Sequence, residues 1–251
     1  MWDWFINFLT FILTELTDFC GDWGLAIILM TFVIRLLLTP LSVKQIKSTT
    51  RMSLMQPKIQ EIQERYANDQ ARQAQEMQKI YSESNANPIG GCLPMLIQMP
   101  VFFALFTVLK NLPADACFYN ILPQLSVSAN DRIAAVGIAA GLPYVITDVL
   151  FGILTLIPML LNQTGTADQR KQTMMMGGFM AILMVWVGWN LPVGVNVYYV
   201  TSAAWGVFQQ LFITTRIRNK LLAEEEERRA NAPIQVDVVR KEKKQRPHKK
   251  A

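Results

Sequence analysis

Apolar positions in this 251-residue chain are gathered into long runs, and the polar stretches between them keep helical spacing. Five runs are long enough to cross a bilayer as helices, at residues 24–43, 91–112, 143–163, 174–190 and 193–213. No charged residue occurs between Lys171 and Arg216. One helix of that length would run about 65 Å, roughly twice the hydrocarbon thickness of a membrane. That stretch therefore crosses twice, and the helix breakers Pro192 and Gly194 mark the turn between the crossings. The pattern predicts an all-α integral membrane protein with five transmembrane helices.

The segments between the runs carry their own periods. In residues 1–23, Asp3, Asn7, Thr10, Thr14 and Asp18 recur along one stripe. A stripe suits an amphipathic helix lying in the outer interface, with an extra short span as the alternative. In residues 44–90, Met52, Met55, Ile59, Ile62 and Tyr66 keep a three-four spacing, Asn68 and Asp69 interrupt it, and Met77, Ile80 and Tyr81 resume it. This predicts a hairpin of two antiparallel helices reaching about 20 Å or more from the membrane. A docking or gating element and a solvated helical linker both fit that pattern. Residues 113–142 read as an external loop and 164–173 as a cytoplasmic one.

Charge fixes the orientation. Lys44, Lys47, Arg51, Lys58, Arg65, Arg72 and Lys79 all lie between the first two spans, and Arg170 and Lys171 between the third and fourth. By the positive-inside rule these segments are cytoplasmic, which puts the N-terminus outside and the C-terminus on the cytoplasmic side. Residues 214–251 begin with the acids Glu224 to Glu227 and end with Arg240, Lys241, Lys243, Lys244, Arg246, Lys249 and Lys250. With so few apolar residues, this segment reads as a disordered tail. Its cations suit anionic lipid, and equally the phosphates of ribosomal RNA, and the sequence leaves both open. The first residues lack the basic start of a secretory signal and Cys20 lacks a lipoprotein pattern, so the N-terminus is expected to be retained.

Candidate chemistry is sparse. Cys20, Cys92 and Cys117 stand at unrelated spacings and His248 is the only histidine, so no metal site is expected. Cys20 and Cys117 share the outer side, where a disulfide between them is one option. No phosphate-binding glycine loop, nucleophile elbow or metalloprotease helix motif is present, so we expect neither enzymatic activity nor a cofactor.

The exception is Arg35, mid-span among Leu, Ile, Val and Phe. Arginine at that depth costs about 2.5–3.5 kcal/mol on insertion scales, which favours a water-filled or protein-lined cavity over lipid. Snorkelling to the cytoplasmic headgroups is the alternative. Asp148 lies near the outer end of the third span, too far to pair with it. Thr31 can donate into the same cavity, and Gln98, Asn196, Tyr198, Tyr199, Gln209 and Gln210 offer further polar groups, or serve as interhelical glue. Met95 and Met99 in the second span, and Met180 and Met184 after Met174 to Met176 in the fourth, suit a surface that accepts varied apolar partners, or ordinary packing. An arginine in a cavity also fits a small-anion transporter or channel, although such proteins usually show paired repeats and broken helices at midplane.

Several blocks occur together and in order: Gly24-Leu-Ala-Ile-Ile-Leu, Arg35 with Leu38-Thr-Pro-Leu, Gln56-Pro-Lys-Ile-Gln, Asn87-Pro-Ile-Gly-Gly-Cys-Leu-Pro, Ile97-Gln-Met-Pro, Leu191-Pro with Gly194, and Tyr198-Tyr199. In this combination the chain resembles the YidC-type membrane protein insertases of bacteria, mitochondria and chloroplasts, and is similar to the short Gram-positive form. The resemblance implies five helices enclosing a hydrophilic groove, open to the cytoplasm and to lipid and closed to the outside, with Arg35 facing it. It implies that Thr31 is the polar partner of Arg35, that Tyr198 and Tyr199 line the route of a client, and that the hairpin receives substrate. The implied partners are nascent membrane proteins, membrane lipids, the ribosome through the basic tail, and the Sec channel.

Overall fold

The structure, a computed structural model, describes residues 2–83, 93–161 and 167–231. Among these residues the chain is helical, with only isolated bridges from Phe118 to Leu122 and from Ser128 to Pro192. In chain order the helices are α1 (Trp2–Cys20), α2 (Trp23–Arg65), α3 (Gln70–Glu83), α4 (Leu93–Lys110), α5 (Ala129–Val136), α6 (Ile138–Leu161), α7 (Ala167–Gly188), α8 (Val193–Gln209) and α9 (Thr215–Ala230). A π-helical turn, Gln210–Thr214, joins the last two.

Helix α1 has three faces. Leu9, Leu13 and Thr17 are buried against α2 and α4, the expected polar stripe is exposed beside them, and Trp4, Phe8, Phe11 and Phe19 form an exposed apolar third. The helix therefore separates a buried side, a polar side and an exposed apolar side. Asp22 then starts α2, accepting from the Leu25 amide at 2.8 Å as its N-cap. Its second oxygen accepts from the Tyr119 amide at 2.6 Å. Gly24 donates to the Cys117 carbonyl at 3.1 Å, and any Cβ on Gly24 would overlap the Phe118 ring. One aspartate and one glycine thus seat residues 117–119 on the start of α2.

The first span and the first hairpin arm are a single helix of 43 residues, about 65 Å long, with Pro40 and Pro57 inside it. The expected turn holds: α2 ends at Arg65, α3 runs back from Gln70, and Arg72 lies over the Tyr66 ring at 5.5 Å. Helix α8 is central and packs on α2, α4 and α6, whereas α7 packs on α6. The first amides of α8 find acceptors in the long connection, Val193 to the Val127 carbonyl and Gly194 to that of Leu125, both at 2.9 Å. These bonds satisfy donors that a helix start leaves open. Tyr144 Oη donates to the Gln124 carbonyl at 2.9 Å and accepts from the Gln124 amide at 3.1 Å. We call this end of the bundle the loop end and the opposite one the hairpin end.

Three expectations are corrected. Residues 113–142 are not all loop, because Ser128 caps α5, accepting from the Asp131 amide at 3.1 Å, and α6 begins before Pro143. Helix α7 starts at Ala167, inside the stretch read as a cytoplasmic loop. The tail does not begin at residue 214: the helix continues through α9 to Ala230 and packs back on α2. Ile217, Leu221 and Leu222 are half-buried there, and this small apolar set, with helix-forming Ala, Glu, Arg and Lys around it, carries the helix through the acids. The tail cations Arg240, Lys241, Lys243, Lys244, Arg246, Lys249 and Lys250 lie outside the described residues.

Among the described residues, α2 and α6 contain windows long and apolar enough to cross a membrane. The other expected spans coincide with α4, α7, and α8 with its π turn.

Candidate functional site

Helix periodicity sets Thr31, Arg35, Thr39 and Ser42 on one face of α2, while Val33, Leu36 and Leu37 are exposed on the other. All three hydroxyls bond within their own helix: Thr31 Oγ1 donates to the Ile27 carbonyl at 2.7 Å, Thr39 to that of Arg35 at 2.8 Å and Ser42 to that of Leu38 at 3.1 Å. Thr31 is buried, so its proton is spent on the helix and is not offered to the cavity as expected.

Arg35 is half-buried. Among the described residues its side chain has neither a hydrogen bond nor an ion pair; the pairs present, Arg65 with Glu61 and Lys220 with Glu224, lie on exposed helix surfaces. A guanidinium with five donors and no acceptor among the described residues is available to water or to an incoming anion. Asp148, as expected, does not reach it.

Tyr199 is half-buried and forms an aromatic node between helices, stacked on Phe151 of α6 at 4.7 Å and tilted against Phe102 of α4 at 5.7 Å. Its neighbour Tyr198 is buried in the core, with its ring 5.3 Å from that of Tyr199. Of the two tyrosines expected to line a route, Tyr199 is the more accessible. The side chains of Gln98 and Met95 lie outside the described residues. Met99 of α4 and Met180 of α7 are exposed, and Met184 of α7 is half-buried.

In the hairpin, Met55 and Ile59 are buried, with Met52, Met77, Ile80 and Tyr81 packed against them. The periodic residues therefore zip the two arms together, and Ile62 and Tyr66 are half-buried nearer the tip.

The sequence reading missed one constellation. Asp148 of α6 and Asn196 of α8 are both fully buried, and Asn196 Nδ2 donates to the Gly188 carbonyl at 3.1 Å and to Asp148 Oδ1 at 3.4 Å. Asn196 is thus interhelical glue, one of the two roles left open for it. The available signal was a carboxylate and an amide in spans whose other charges had been removed. Cys20 and Cys117 are free thiols, so the optional disulfide is not formed.

The sequence profile of the 60Kd inner membrane protein family matches residues 15–220. The chain belongs to that family. It is similar to the membrane protein insertase YidC of Fusobacterium nucleatum, 34% identical over 209 residues that cover 82% of this chain and 93% of the relative. It is also similar to the YidC of Haemophilus influenzae strain PittEE, 36% identical over 87% of this chain and 38% of the relative. The YidC of Streptomyces avermitilis is 35% identical over 78% of this chain and 51% of the relative. A crystal structure of an active YidC insertase with its first transmembrane domain resolved superposes with a TM-score of 0.65 at 26% identity, covering 84% of this chain and 47% of that one. The chain therefore spans nearly the whole of one relative and about half or less of the others. The YidC-type resemblance drawn from the motif blocks holds, and the chain is a membrane protein.

Proposed function

We propose that this chain is a membrane protein insertase and chaperone. It takes nascent hydrophobic segments into a polar groove open to the cytoplasm and releases them into lipid, alone or with the Sec channel. In this reading α2, α4, α6, α7 and α8 cross the membrane, the loop end faces outward, the hairpin end faces the cytoplasm and α1 lies in the outer interface. The observation that carries the reading is Arg35, half-buried on the polar face of α2 and without a protein acceptor among the described residues, below a loop end where Asp22 and Tyr144 hold the connecting segment against the helices.

The work is a lowering of desolvation cost. A polar group carried into hydrocarbon without a partner loses several kcal/mol, so a route that keeps it wet and beside a cation removes much of the barrier. The acidic or polar outward part of a client rests near Arg35, while its apolar helix slides out against α4 and α8, the second and last spans, with the exposed Met99 and Met180 as apolar contacts. The driving force is burial of the client's own span in lipid. The hairpin receives the client, and the basic tail contacts lipid or ribosome. The anion-transporter reading of Arg35 finds no counterpart in the relatives described above and is set aside.

The test is insertion of a single-span client with an acidic outward segment into proteoliposomes. Arg35→Lys is expected to retain much more insertion than Arg35→Ala, and Arg35→Glu the least. Equal insertion by all three removes the electrostatic step; no insertion by the wild-type chain removes the reading.

A further inference from the structure

The Asp148 and Asn196 side chains leave a specific pair of atoms unsatisfied. Asn196 Nδ2 is committed to the Gly188 carbonyl and Asp148 Oδ1, and the carbonyl fixes which end of the amide points that way. Asp148 Oδ2 and Asn196 Oδ1 are then buried without partners. Both are acceptors, and two acceptors cannot satisfy each other. A single hydrogen on Asp148 Oδ2 changes that. A carboxylic acid and a carboxamide are complementary: the amide N–H donates to the acid carbonyl, and the acid O–H donates to the amide carbonyl. The bond already present is one half of this exchange, and the two orphaned oxygens are the atoms of the other half.

Among the described residues no positive charge pairs with Asp148 in place of that proton. Helix α8 carries no charged residue. On α5, the Arg132 guanidinium donates to Gln124 Oε1 at 3.1 Å and lies over the Tyr144 ring at 5.8 Å, and Asp131 accepts from Ser128 at 2.7 Å. On α7, Arg170 and Lys171 precede Gly188 by about 25 Å of helix. The other titratable groups on α6 and α8 are Tyr144, bonded to Gln124, and Tyr198 and Tyr199, and α7 adds only Asp168 beside Arg170 at its far end. An ionised carboxylate in this position would be buried without a counter-charge, which is strongly unfavourable.

We infer that Asp148 is carried as a neutral carboxylic acid, paired reciprocally with the Asn196 carboxamide, and that this proton-holding pair joins α6, α7 and α8 at one point. Gly188 is part of the device. Its carbonyl is the third member, and any Cβ there would collide with the Asp148 carboxyl group. The proton comes from water during folding and returns to water on unfolding.

Infrared spectroscopy of the full chain in lipid vesicles at neutral pH tests this directly. The expected result is one protonated-carboxyl carbonyl band that is lost in Asp148→Asn and shifted in Asn196→Leu. Asp148→Asn replaces the acid O–H by an amide N–H and keeps both bonds, so it should unfold at the wild-type temperature, while Asp148→Ala unfolds at a lower one. Absence of the band in the wild type, as for an ionised group bridged by water, overturns the inference. So does an Asp148→Asn chain as destabilised as Asp148→Ala.

Discussion

The two ends of the bundle treat their polar groups in opposite ways. At the loop end, Asp22, Tyr144, Ser128 and Asn196 each reach a named partner, and the fully buried apolar side chains Leu13, Ile27, Leu105, Leu109, Leu122, Leu125 and Val193 fill the space between them. Towards the hairpin end, Arg35 has no acceptor among the described residues, the exposed methionines gather on α7, and the hairpin has a small core of its own. Apolar packing at one end and an unpaired cation towards the other suit the one-sided groove proposed above. Water enters where a charged donor faces open space, and it is kept out where apolar side chains pack around paired polar groups.

This division can be broken experimentally. The largest effect is expected for Asp22→Ala, which removes both an N-cap and a charged acceptor for the Tyr119 amide; together these are worth about 3 kcal/mol. Thermal unfolding in detergent should register that loss while proteolysis of the hairpin stays unchanged. Ile59→Ala should do the reverse, costing about 2 kcal/mol in the hairpin core and speeding cleavage near residues 66–69 without moving the main transition. A shared loss in both assays would mean that the ends are one cooperative unit. Tyr144→Phe removes two hydrogen bonds to Gln124 and is expected to cost about 1–2 kcal/mol by thermal unfolding. Arg65→Ala breaks an exposed pair within one helix and should change stability by no more than about 0.5 kcal/mol in the same assay.

Much of this was legible in the residues because membrane crossing and helical period are local properties. The three-four spacing of Met52 to Tyr66 located the hairpin, and its break at Asn68 and Asp69 located the turn. Boundaries fared worse where hydropathy changes but helicity does not. The end of the first apolar run is not the end of α2, and the charges after Ile213 do not stop the last helix, because Ala, Glu, Lys and Arg are good helix formers. The Asp148–Asn196 contact joins residues 48 positions apart, and no local pattern announces such a pairing. Thr31 shows the converse difficulty. Its position one turn before Arg35 on the same face follows from periodicity, whereas the direction of its proton depends on an ever-present backbone carbonyl one turn back that competes with any cavity.

The unbroken length of α2 has a mechanical consequence. Asp22 at one tip, Arg35 partway along and the buried Met55 in the far arm belong to one rod, braced sideways by α8 and α9. A bulky body leaning on the hairpin would tilt that rod as a lever, and the displacement would reach the opposite face of the molecule without any bond being exchanged. Pro40 and Pro57, where a rung of the helical ladder is missing, are the places where the rod can flex and absorb the load.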